Sequence, residues 1–135
     1  MKKIIFLLLV ALSFTSCSID DGPNFYNEFL PIESVNMPEE FVLGETYEIS
    51  VTYLRPSTCH VFNNFYYASE LNQRTVAIIT TVYENNDCLP LEDQEVEVSF
   101  TFMVNNNGTY VFKFWQGEDV NGNDMYYIVE VPVVE

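Results

Sequence analysis

The chain of 135 residues is predicted to be all-β, an antiparallel β-sandwich of about seven strands. Three observations predict it. Apolar and polar side chains alternate along several short runs, the period of a strand with one face in a core and one in water. Aromatic residues make up 16 % of the chain, which favours strands and argues against disorder. Turn-forming residues separate the runs, and no segment after Cys17 has helical periodicity.

The first 16 residues read as a targeting segment, outside the fold. Lys2 and Lys3 start it, and Ile4 to Leu12 is an unbroken apolar run. That run is shorter than the roughly 20 residues a membrane-spanning helix needs. Phe14-Thr15-Ser16-Cys17 resembles a bacterial lipobox, although Phe14 stands where Leu is usual. The resemblance implies acylation of Cys17 and an N-terminus at that residue; the alternative is an ordinary secretory leader. Ser18-Ile19-Asp20-Asp21 resembles the acidic post-cysteine signals of Bacteroidota lipoproteins, implying outer-membrane sorting or surface display; the alternative is a solvated tether. Residues 17–27 are then a lipidated flexible tether, with Gly22 and Pro23 in it, and residues 28–135 the sandwich.

The strands follow in order. Phe29 to Met37 is the first, interrupted at Pro31, which suits an edge or bulge. Thr46 to Leu54 places Tyr47, Ile49, Val51 and Tyr53 on one face. Val61 to Tyr67 and Thr75 to Tyr83 are the third and fourth. Glu95 to Val104 buries Val96, Val98, Phe100, Phe102 and Val104 against outward Glu95, Glu97, Ser99 and Thr101. Thr109 to Gln116 and Met125 to Val133 close the chain. Asn105-Asn106-Asn107-Gly108 and Asn121-Gly122 are hairpin signals, since Asn and Gly tolerate positive φ.

With Cys17 committed to lipid, Cys59 and Cys88 are an even pair in an exported chain and read as a disulfide. A zinc site would need more ligands than His60, the single histidine, can supply, and a redox pair would show Cys-x-x-Cys. Charge narrows the partners. Beyond the leader, only Arg55, Arg74 and Lys113 stand against 20 acidic residues. Such a field repels nucleic acid and anionic lipid surfaces. The membrane is therefore met through the N-terminal lipid; cations, basic peptides and neutral glycans remain, and an envelope protein or a glycan is the expected partner. Arg55 and Arg74 are each expected to pair with a carboxylate.

Asn107-Gly108-Thr109-Tyr110 resembles the Gly-x-Tyr pattern that opens the sixth strand of immunoglobulin-like domains. The resemblance implies an immunoglobulin-like sandwich in which the Tyr110 hydroxyl forms a corner with upstream backbone. Phe112 stands where antibody-type domains carry cysteine, so the antibody-type bridge is not implied. The whole chain resembles small envelope lipoproteins of Bacteroidota, which brings no activity with it.

No catalytic constellation stands out, and no cofactor is called for. Ser57, His60 and Asp87 are the residue types of a hydrolase triad, but no nucleophile-elbow motif surrounds Ser57. Acidic pairs such as Glu39-Glu40 read as solvated. Asp119-x-Asn121-x-Asn123 alternates oxygen ligands as a calcium loop does. Asp124 stands where such a loop needs Gly, and Glu130, in the twelfth position, falls in an expected strand; a plain hairpin loop is the alternative. The candidate binding surface is Trp115, Lys113, Tyr126 and Ile128. Lys113 marks the face opposite Tyr110, Phe112 and Phe114 as wet, and pairing with the last strand would bring these side chains into one aromatic patch. The expected function is a lipid-anchored, non-catalytic protein-interaction module of the cell envelope, the alternative a surface glycan- or ligand-binding module. A flat patch would favour the first, a concave aromatic row the second.

Overall fold

The computed structural model describes residues 24–85 and 87–135. Cys17, the leader and the tether as far as residue 23 lie outside the described residues. Among the described residues nine strands form two sheets: β1 (Phe25–Leu30), β2 (Ile32–Asn36), β3 (Phe41–Val42), β4 (Thr46–Leu54), β5 (His60–Glu70), β6 (Gln73–Tyr83), β7 (Glu95–Met103), β8 (Thr109–Glu118) and β9 (Asp124–Val134). The domain is an all-β sandwich, with two strands beyond the expected seven. β1 starts at Phe25, so Phe25–Asn27 are strand rather than tether: their backbone pairs with Thr81–Tyr83.

The smaller sheet runs β2-β4-β7. In the larger, β6 is central. β5 covers one of its edges; β8 and then β1 share the other, and β9 and β3 follow beyond β8. Most pairs are antiparallel, but β6–β8 and β3–β9 are parallel. β4–β7 and β8–β9 pair as the second and fifth and the sixth and seventh strands of an immunoglobulin-like domain do. The hairpin strand β6 departs from that order by lying between β5 and β8. Pro31 marks where the chain changes sheets: it has no N–H to donate, so the ladder breaks and β1 hands over to β2. Asn105–Gly108, expected as a hairpin, also carries the chain between sheets, since β7 pairs only with β4 and β8 with β6 and β9. Asn121-Gly122 does close a hairpin, β8–β9, with Gly122 at φ +80°.

The core lies between the sheets. Ile49, Val51 and Tyr53 from β4 meet Val76 and Ile78 from β6 and Tyr110, Phe112 and Phe114 from β8. Phe41 closes one end, its ring within 5.0–6.1 Å of those of Tyr47, Phe102, Tyr110 and Phe112. Burying rings of this size contributes about 1.5–3 kcal/mol each. Tyr110 forms the corner: its hydroxyl donates to Asn105 Oδ1 (3.2 Å) and accepts from the Asn106 N–H (3.1 Å). Burial raises the Tyr53 pKa above its ordinary value, against a lesser opposing effect of nearby Arg55.

Cys59 and Cys88 are disulfide-bonded, with Cα atoms 5.4 Å apart. The bond ties the start of β5 to the loop before β7. Closing a loop of this length contributes about 3–4 kcal/mol by the chain-entropy argument.

Among the described residues the two arginines do not pair with carboxylates. Arg74 is buried, donates to the Leu71 and Gln73 carbonyls (2.7 and 3.0 Å), and lies over the Tyr110 and Phe102 rings. Arg55 donates to the His60 and Thr58 carbonyls (2.7 and 2.9 Å). Carbonyls and ring faces satisfy a guanidinium without desolvating a carboxylate as well.

Candidate functional site

The outward face of the larger sheet carries the site. Along β6 that face shows Thr75 and Ala77, both small. β8 leaves the β6 edge at Val76↔Phe114, and β1 joins it at Ile78↔Leu30. At this junction Phe29 of β1 and Trp115 of β8 approach each other, ring centroids 5.9 Å apart and tilted by 62°. Tyr66 of β5 meets Phe29 edge-on at 6.1 Å. Tyr126 of β9 stands opposite Trp115 in register. These four rings wall a cleft of about 360 Å³ over the Thr75–Ala77 floor, and Glu118 and Asp124 stand at its rim. That volume lies at the low end of the range usual for small-ligand sites.

Local structure fixes the rings. The β8–β9 ladder is irregular between Trp115 and Glu118, where Gly117 takes φ +101°. A bulge of this kind re-aims side chains beside it. Trp115 is further held by its Nε1–H, which donates to Asp124 Oδ1 at 3.0 Å. Lys113 reaches over the Tyr126 ring, its Nζ 4.3 Å from the centroid.

Of the four residues singled out from sequence, Trp115 and Tyr126 line the cleft, and Lys113 caps one of its rings. Ile128 pairs with Lys113 but is exposed outside the lining. Trp115 is only half-buried: Phe29 and Asp124 cover part of it. Phe29, Tyr66, Glu118 and Asp124 were missed. Each arrives through strand pairing or the β8–β9 turn, which alternation within one segment does not reveal.

Ser57 and His60 do come together, with Glu28 rather than Asp87 as third member. The Ser57 hydroxyl is 2.7 Å from His60 Nδ1, and His60 Nε2 is 2.9 Å from Glu28 Oε2. The Ser57 oxygen also accepts from the Cys59 N–H at 3.1 Å, as in an ST turn. This chain of bonds ties the disulfide-bearing turn to β1. The Asp119 carboxylate accepts from the Asn121 and Asn123 N–H groups (2.8 and 3.0 Å), which closes the hairpin loop. Those bonds, Asn123 first, hold its pKa below the ordinary aspartate value.

Compared with protein-family models, curated proteins and solved structures, the chain matches none.

Proposed function

We propose that the chain is a lipid-anchored, non-catalytic binding module of the cell envelope, and that the cleft walled by Phe29, Tyr66, Trp115 and Tyr126 is its binding site. The observation that carries this is the convergence of four part-exposed rings on one concavity of a strand-built face. Aromatic rings supply much contact area for little lost rotamer freedom, so they anchor partners well. The concavity favours a ligand or glycan, or a single group projecting from a partner, over a broad flat interface. The non-catalytic reading draws on the sequence around Ser57, which carries no nucleophile-elbow motif. Anchoring rests on acylation of Cys17, where each buried methylene contributes about 0.8 kcal/mol.

The test is a pull-down from surface-labelled cells with wild type and Trp115→Ala. Loss of partners in the variant supports the reading; recovery of the same partners by both removes the cleft from it. In parallel, Cys17→Ala should release the protein from membranes, and persistence in the detergent fraction would argue against the lipid anchor.

A further inference from the structure

We infer that the ligand group entering this cleft is a cation: the guanidinium or ammonium of a basic side chain on a peptide segment of the partner. The inference rests on the cleft being the binding site and adds the chemistry of what it binds.

The argument begins with donors and acceptors. The polar lining consists of the Glu118 and Asp124 carboxylates and the hydroxyls of Tyr66, Thr75 and Tyr126, together with one indole N–H. An ionised carboxylate only accepts. The indole N–H is already spent on Asp124. Among the described residues no amide or basic side chain lines the cleft. A saccharide hydroxyl both donates and accepts, and the donors left to meet it are the three hydroxyls alone, beside two carboxylates that only accept. Ammonium and guanidinium groups only donate, so they match an acceptor-rich site.

Electrostatics point the same way. Among the described residues neither Glu118 nor Asp124 lies within ion-pairing distance of a basic side chain. The rim therefore keeps its negative charge, within a chain that carries 20 acidic residues against 5 basic ones. The walls are aromatic rings, whose faces attract cations through their quadrupoles. One of them already does so, since the ammonium of Lys113 lies over Tyr126. A long basic side chain would lay its methylenes on Phe29 and Trp115 and carry its charge to the carboxylates.

Trp115 is the single tryptophan of the chain, so its emission reports this site alone. The full chain is titrated with acetyl-Gly-Arg-Gly-amide, acetyl-Gly-Lys-Gly-amide, the citrulline counterpart of the first, and the neutral saccharides maltotriose and chitotriose. The expected result is a saturable change with either basic peptide. Citrulline should bind at least about tenfold more weakly, because it keeps the shape and loses the charge. Glu118→Gln, an exposed substitution, should weaken the arginine peptide several-fold and leave the free protein's circular-dichroism spectrum unchanged. Equal binding of citrulline, or saturation by a saccharide with no response to Glu118→Gln, overturns the cation inference while keeping the cleft as a binding site. No response to any probe overturns the inference, and identical pull-downs with Trp115→Ala would remove the binding-site reading as well.

Discussion

At the scale of single residues, alternation carried information wherever one side chain answers to one environment. Tyr110, Phe112 and Phe114 point into the core, and Val111, Lys113 and Trp115 point away from it, as their spacing predicts. Alternation failed for side chains whose fate depends on distant partners. Arg74 faces inward on β6 and lies over the Phe102 and Tyr110 rings of two other strands, while the nearby Leu71 and Gln73 carbonyls accept from its guanidinium. Asp119 is the reverse case, a residue whose role is local. Its carboxylate accepts from two backbone N–H groups of its own loop, and both bonds favour the ionised form. A depressed folded-state pKa contributes stability that is present above the ordinary aspartate range and lost as pH falls through the lowered value. The β8–β9 loop should therefore stay closed at neutral pH and loosen under acid. In an NMR titration, the Asn121 and Asn123 amide shifts should move together, with a midpoint below the usual aspartate value. Midpoints at the ordinary value would mean that the carboxylate does not hold the turn.

At the scale of elements, the boundaries of β4 matched the sequence, and β7 ended one residue short of its expected limit, because clean alternation specifies both face and length. β3 was not expected: two residues, Phe41–Val42, are too short to show a period, and the pairing with β9 is parallel and remote. The β5–β6 turn was equally silent. It uses Leu71 at φ +53°, where a Gly or Asn would have announced it. The Trp115–Glu118 bulge matters most for the site. Gly117 sits in the left-handed region at φ +101°, and a Cβ there would lie 3.4 Å from Pro31 Cγ, an ordinary contact. The cost of Gly117→Ala is therefore one of backbone conformation, about 1–2 kcal/mol. It should also displace Trp115 relative to Asp124, since the bulge sets the angle of the indole. Denaturant unfolding followed by tryptophan emission reads both effects. A variant with wild-type stability and an unshifted emission maximum would show that the bulge does not depend on glycine.

At the scale of the whole molecule, the class of fold was legible and its wiring was not. Period-two burial dictates strands and two layers, but whether β6 lies beside β7 or between β5 and β8 is decided by which faces match after collapse. The same limit hid Phe29 and Tyr66 from any reading of the cleft, since both reach it across β6. Charge is a whole-molecule quantity that the sequence does give, and the structure says how it is arranged. Twenty acidic residues face five basic ones, and Arg55 and Arg74 spend their charge on carbonyls instead of balancing carboxylates. Among the described residues no arginine or lysine pairs with a carboxylate, so little attraction offsets the repulsion between acidic side chains. Folding gathers those charges and unfolding spreads them, so repulsion destabilises the compact state. Salt shortens the reach of that repulsion, from about 10 Å at 0.1 M toward about 3 Å at 1 M. The melting temperature at pH 7 should accordingly rise between 0.02 and 0.5 M ionic strength, and sodium chloride and sodium fluoride should act alike at the low end, where screening dominates. A melting temperature that falls over this range would mean that attractive pairs outweigh the acidic surplus, and the negative field assigned to the cleft rim would lose its support.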